Sequence, residues 1–226
     1  MASVADRTFV DDVLKEVVWP ARDALMESPY FTDLRNGKLT KRRMQGFSLE
    51  HTWFNRTLLR GAALRLIRAA DNDALMSALL GIESEVHHPD LCQKFGMSLG
   101  LTEEDFRKHT PIQQVLEHTS VVIASPLTLG NAAAGRTSGM ANETIVQRYS
   151  MEFAEYLAKP PYNMSEDQLE FFIIHGVVDV EHSAEAATAV GHLATTDHDK
   201  ELVWYVAKSQ VKLKLAKFQG IYDAYA

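Results

Sequence analysis

The stretch FFIIHGVVDVEHSAEAA holds His175, Asp179 and His182 at successive spacings of four and three, which puts all three side chains on one face of an α-helix. Phe171, Ala186, Ala189 and Leu193 continue that face, so it is also the face expected to pack inward. Burying a carboxylate and two imidazoles together is costly unless something compensates them. A metal cation does so directly; a hydrogen-bonded core network is the plainer alternative. A second segment, LLGIESEVHHPDLCQKFGMSLG, together with the turn before it, places Leu75, Ala78, Ile82, Glu85, His88, Cys92, Phe95 and Leu99 at steps of three and four. Glu85 and His88 interrupt this apolar stripe as a Glu-x-x-His pair, the arrangement by which helical carboxylate-bridged di-metal sites offer one oxygen and one nitrogen ligand. Pro89 cannot donate to the Glu85 carbonyl, so a kink is expected beside the pair, although a tolerated surface kink would look the same. Glu83 and His87 point away from the stripe and are expected to face solvent.

Glu143 lies in GMANETIVQRYSMEF on a weaker stripe with Met140, Val146, Phe153 and Leu157. Pattern alone fits an exposed glutamate in a first helical turn equally well, since negative charge is favoured there. Together the candidates are Glu85, His88, Glu143, His175, Asp179 and His182. Three carboxylates suit two divalent cations better than one. Oxygen and nitrogen donors fit iron or manganese, with zinc remaining open.

Helices must position these groups, because apolar residues three and four apart recur almost everywhere and strand-type alternation is scarce. About seven helices are expected. The first spans about Val10 to Met26. After a turn through Asn36 and Gly37, Thr40 caps a long helix to about Ala70, and Asp71 or Asn72 caps the next, which runs to about Leu99 and stops at Gly100. Thr102 opens a short turn over Glu103 to Phe106, and Pro111 opens another helix. The small-residue stretch SPLTLGNAAAGRTSG is the least legible part. A helix resumes by Asn142 and ends before Pro160 and Pro161. Ser165 with Gln168 forms a capping-box pattern for a helix to about Leu193, and ATTDHD leads to a last helix ending near Tyr222.

The 226 residues, 46% of them hydrophobic, suffice for one packed domain over 1–226, and no linker-like stretch divides them. No apolar run approaches the ~20 residues of a membrane span, and the N-terminal stretch does not resemble a signal peptide; a cytoplasmic location is expected. A single cysteine, Cys92, excludes an internal disulfide framework and any multi-cysteine metal site. A formal charge of −7 argues against a nucleic-acid partner, and Lys208, Lys212, Lys214 and Lys217 read as a solvated helix surface. The expected partner is a small-molecule substrate, with a homodimer left open. His51, Phe54 and Leu58, on the inward face of the long second helix near Phe47, are candidate substrate contacts, though plain core is the simpler reading. Arg56, Arg60 and Arg65 could bind a carboxylate, but surface ion pairs explain them more simply.

At these residues the chain resembles the haem-oxygenase-like di-iron oxidases, which include alkene-forming fatty-acid decarboxylases, amine N-oxygenases and a chlamydial protein that makes p-aminobenzoate. The resemblance rests on IESEVHHPDL with its following FG-x-x-LGL pattern, on NETIV, on FFIIHGVVDVEHS and on KFQGIYDAY, and it covers most of the chain. It implies a single-domain, all-α, seven-helix haem-oxygenase-like bundle. It further implies metal ligation by Glu85, His88, Glu143, His175, Asp179 and His182, and oxidation of a small organic substrate by dioxygen at two ferrous ions, with manganese as an alternative metal. The substrate would be a fatty acid, an amino acid or an amine, and the outcome C–C cleavage, desaturation or N-oxygenation. Many members place more residues between the first glutamate and the histidine; the compact form here resembles the alkene-forming decarboxylases and leaves Glu83 as a substitute for Glu85. Rival readings are a ferritin-type bundle, which needs a second Glu-x-x-His, a phosphohydrolase using His198 and Asp199, and a thiaminase-like or cofactor-binding protein of the same fold without a di-iron centre. The thiaminase-like route needs a nucleophilic cysteine, and Cys92 matches it poorly. A tetrapyrrole binder would need an axial histidine in the first helix, and the first fifty residues contain none.

Overall fold

The computed structural model describes residues 7–67 and 72–226. Within them no strand occurs, and the chain folds into α1 (Arg7–Val13), a π-helical turn (Leu14–Val18), α2 (Trp19–Met26), α3 (Pro29–Arg35), α4 (Lys41–Ile67), α5 (Asn72–Glu85), α6 (His88–Ser98), α7 (Glu103–Lys108), α8 (Gln113–Thr128), α9 (Ala132–Leu157), α10 (Glu166–Leu193) and α11 (Asp197–Ala224). That exceeds the seven expected. The short α3 is an additional piece, the expected first helix is interrupted by the π-helical turn, and the helix expected to run from Asn72 to Leu99 is cut in two, whereas α7 follows the short turn expected after Thr102. Pro89 occupies the first turn of α6 and cannot bond back to Glu85, so the ladder breaks at Val86 and His87 rather than merely kinking. The expected end of α4 at Ala70 and the Asp71 cap lie outside the described residues, as do the side chains of Arg65 and Ala78.

Side-chain caps fix several helix starts. Thr40 Oγ1 accepts from Arg43 N at 3.2 Å, Thr102 and Asp105 cap each other, and Ser165 and Gln168 form the expected box at α10. Thr196 and Asp199 do the same for α11, which gives Asp199 a structural role and leaves the His198–Asp199 pair at a helix cap. Two starts differ from expectation. α8 begins at Gln113 rather than at Pro111, and α9 begins at Ala132, ten residues before Asn142, with Asn131 Oδ1 accepting from Ala134 N at 2.9 Å. Glu143 therefore sits well inside α9 and not in its first turn.

α9 and α10 form the most extensive helix pair, and α4, α6, α8 and α11 pack around them. The core between them is aromatic. Phe153 of α9 stacks on Phe172 of α10 with ring centroids 4.4 Å apart, and Phe47 of α4 lies 4.9 Å from Phe153. Gly96 lets α6 lie close on α4, since a Cβ there would overlap Ser48 and Phe106; at the same crossing Ser48 Oγ donates to the Cys92 carbonyl at 2.7 Å. Glu50, fully buried, accepts from the Tyr225 hydroxyl at 2.9 Å and from the Ile112 amide, tying the C-terminus and the start of α8 to α4. No helix among the described residues is long and apolar enough to cross a membrane.

Phe153 is fully buried at the centre of this aromatic cluster. Phe153→Ala should lower the unfolding free energy by about 3–5 kcal/mol, measured by urea denaturation, because the closely packed rings around it can collapse only partly into the space left.

Candidate metal centre and cavity

A cavity of about 780 Å³ opens between α4, α5, α8, α9 and α10. Glu85, Glu143, His175, Asp179 and His182 line it, from three separate stretches of sequence. His88 stands directly behind them. Its ring packs edge-on against His175 at 4.4 Å between centroids, and its Nδ1 lies 2.6 Å from Glu85 Oε2. The break at Val86–His87 sets Glu85 at the last residue of α5 and His88 at the first of α6. Asp179 and His182, one turn apart on α10, approach to 3.9 Å. Glu83 and His87 are exposed, as their positions on the pattern suggested, and Glu83 is not among the cavity-lining residues. His51, Phe54 and Leu58 also line the cavity.

Two features fit a cation. His175 Nδ1 lies 2.7 Å from the Phe171 carbonyl oxygen, which can only accept, so the proton sits on Nδ1 and leaves Nε2 as a free lone pair. Asp179 Oδ2 is buried with no hydrogen-bond partner, an arrangement that costs free energy unless something positive approaches it. The donors converge but are not drawn tight: among the described residues, no three histidine, cysteine, aspartate or glutamate side chains stand close enough together to hold an ion as placed.

The electrostatics carry the same strain. Burial, then the charges of Glu143 and Glu85, push the Asp179 carboxyl up to about 8. Burial, then His88, push His175 down to about 4, against the Phe171 carbonyl that favours its charged form. Burial would raise Glu85 too, but the contact with His88 and the nearby His175 and His182 together hold it below the usual carboxylate range.

One part of the cavity's surroundings is contrary to expectation. Lys208 and Lys212 are exposed, but Lys214 and Lys217 are fully buried on the inner face of α11. Lys214 Nζ donates to Asn142 Oδ1 at 2.8 Å, and Lys217 Nζ lies 3.0 Å from His51 Nδ1. Burial, with the neighbouring Glu50 opposing, brings Lys217 down to about 7. Composition gave no sign of this; only the spacing of Gln210, Lys214, Lys217 and Phe218 on one helical face could have. Elsewhere, Arg56 bonds Gln93 rather than a carboxylate, and Cys92 is buried with its thiol pushed by burial up to about 12.

A family model described as an iron-containing redox enzyme matches residues 63–214, a span that contains all six candidate ligands. The chain belongs to this family. Solved structures agree on the fold. The chain is similar, at 19% identity and a TM-score of 0.83, to a domain of unknown function with a heme oxygenase-like fold from Shewanella denitrificans, over 99% of this chain and 94% of that one. It is also similar to a TenA homologue from Pseudomonas syringae at 12% identity and a TM-score of 0.82, over 95% and 93% of the two chains. A TenA homologue from Pyrococcus furiosus matches at 18% and 0.77, over 95% and 100%. No curated protein matches. The architecture is thus that of the heme oxygenase-like fold, all-α as the resemblance implied, with more helical segments than seven.

For this member of the iron-containing redox enzymes, the raised Asp179 carboxyl has a measurable consequence in the metal-free protein. Its folded value of about 8 lies above the ordinary 3.8, so the folded state holds the proton more tightly than the unfolded chain. That contribution is complete below pH ~4 and is lost as pH rises through about 8. Between pH 5 and pH 9, Asp179→Asn should lose less stability than the parent by on the order of 4 kcal/mol, measured by denaturation of metal-free samples. Equal losses in both proteins would contradict the placement of Asp179.

Proposed function

We propose that this iron-containing redox enzyme is a non-haem di-iron oxidase that uses dioxygen to oxidise a small organic substrate held in the cavity. The observation that carries the reading is the convergence on one cavity of three carboxylates and two imidazoles, with His88 packed behind His175 and one carboxylate oxygen buried without a partner. Glu85, Glu143 and Asp179 would supply the oxygen ligands, and His88, His175 and His182 the nitrogen ligands. Two ferrous ions held there would provide the electrons and open coordination positions that dioxygen reduction needs.

The chain's own contribution is positioning and exclusion. The Phe171 carbonyl orients His175, and the aromatic core between α4, α9 and α10 fixes the helices that carry the acidic and imidazole groups. Leu58, Ala62, Val122, Ile123, Val146 and Ala189 give the remaining walls an apolar surface that keeps bulk water from the reacting groups and suits the hydrocarbon part of a substrate. His51 is held from both sides, by Lys217 and by the Tyr149 hydroxyl at 3.4 Å, so it presents a fixed ring edge to the cavity.

The thiaminase-like alternative is less well supported. It requires a thiolate nucleophile in the cavity, whereas Cys92 is fully buried against Ser48 and its thiol is held protonated. Likeness to TenA homologues below one-fifth identity speaks for the fold alone.

Anaerobic loading with ferrous iron, metal counting and mixing with oxygen test the reading. The parent should bind two irons per chain and consume oxygen. His182→Ala should retain at most about half of that iron and lose oxygen reactivity, with the helical circular-dichroism signal unchanged, because one first-ligand loss typically costs a metal site much of its affinity. Unchanged stoichiometry and oxygen uptake in the variant would contradict the assignment.

A further inference from the structure

Both ring nitrogens of His51 have neighbours, and these come from different helices. Lys217 Nζ, on α11, lies 3.0 Å from Nδ1, and the Tyr149 hydroxyl, on α9, lies 3.4 Å from Nε2. All three side chains are buried. The imidazole is held in its plane, stacked on Phe47 with ring centroids 4.9 Å apart and met edge-on by Phe171 at 5.4 Å. Lys217 is held in turn over the face of Phe54, 4.0 Å from the ring centre. Of the three, only His51 lines the cavity.

The charge on Lys217 selects the tautomer of His51. A charged lysine has donors only, so it donates to Nδ1, and the neutral ring then carries its proton on Nε2. A neutral amine can accept, which lets the ring carry its proton on Nδ1 while the Tyr149 hydroxyl donates to Nε2; a phenol gives a hydrogen bond to imidazole more readily than it takes one. The ring itself stays neutral. Burial, then Lys217 and Lys214 from α11, with His175 from α10 and His118 from α8 acting in the same direction, push His51 well below the usual histidine range. Lys217 is the member that changes charge: burial, opposed by Glu50 on α4 and Cys92 on α6, brings it down to about 7.

We propose that Lys217 and His51 form a proton relay in which charged Lys217, itself outside the cavity lining, makes His51 a proton donor to a group bound in the cavity. When that group takes the Nε2 proton, an N–H bond of Lys217 breaks and an N–H bond forms at Nδ1, so one proton and one positive charge pass from Lys217 to the acceptor and no electron moves through the pair. The use made of the proton rests on the oxidase reading: the acceptor is the oxygen that iron reduces, and the proton released by oxidation of the substrate returns to Nε2 and drives the pair backwards. Lys217 is a positioning residue here, acting through His51.

The test reads the ring directly. Nitrogen-15 NMR of the full-length, metal-free protein labelled at histidine, with the His51 signals assigned by their loss in His51→Gln, reports which nitrogen carries the proton. In the parent the proton should move from Nε2 to Nδ1 as pH rises from about 5.5 to about 8.5, and oxygen consumption by iron-loaded protein should fall about tenfold over the same range. Lys217→Arg, which stays charged, should hold the proton on Nε2 throughout and keep the rate at the upper end. Lys217→Met should show no change of tautomer with pH and should be slow at both ends. A parent tautomer that does not change with pH, or a change that persists in Lys217→Met, would overturn the relay, and the parent titration decides this even where a variant fails to fold. A parent that shows the tautomer change but consumes no oxygen overturns the oxidase reading and leaves the pair standing.

Discussion

Everything in this molecule turns on the cost of keeping charge inside a helical core. Asp179, His175, Lys214 and Lys217 are all buried, and each has its proton equilibrium displaced by that burial. A bundle selected only for stability would place leucine or methionine at such positions. The aromatic cluster of Phe47, Phe153 and Phe172 offsets the cost and holds α9 and α10 in register, so that Glu143 and Asp179 meet across one cavity. The two buried lysines stand outside the cavity lining, whereas the carboxylates and imidazoles face into it.

The site rather than the fold carries the functional reading. The heme oxygenase-like bundle is shared by proteins of low identity, and a shared bundle does not choose a reaction. Membership of the iron-containing redox enzymes narrows the chemistry to iron and redox. Going further depends on local facts: the tautomer of His175 set by the Phe171 carbonyl, the orphaned oxygen of Asp179, and the inert Cys92.

The periodic and capped parts of the chain were legible in the sequence. His175, Asp179 and His182 announced a shared face because helical spacing is rigid, and the Ser165 box placed the start of their helix correctly. The pattern set Glu85 on the apolar stripe and Glu83 off it, and only the spacing in related sequences kept Glu83 as a substitute; the break that Pro89 imposes ends α5 at Glu85 and leaves that residue on the cavity wall. The first ten residues of α9 were missed because Ala, Gly, Thr and Ser carry no hydrophobic period. There, packing against neighbouring helices outweighs weak propensity. Lys214 and Lys217 were misread as surface for a different reason: lysine is so seldom fully buried that only three-dimensional context reveals the exception.

The central claim is that the six converging side chains hold a pair of iron ions. Diffraction data collected on either side of the iron absorption edge, from crystals grown anaerobically with ferrous iron, address it directly. The account predicts two anomalous peaks in the cavity, ligated between them by Glu85, His88, Glu143, His175, Asp179 and His182. An empty cavity under saturating iron, or peaks only at surface residues, would contradict it.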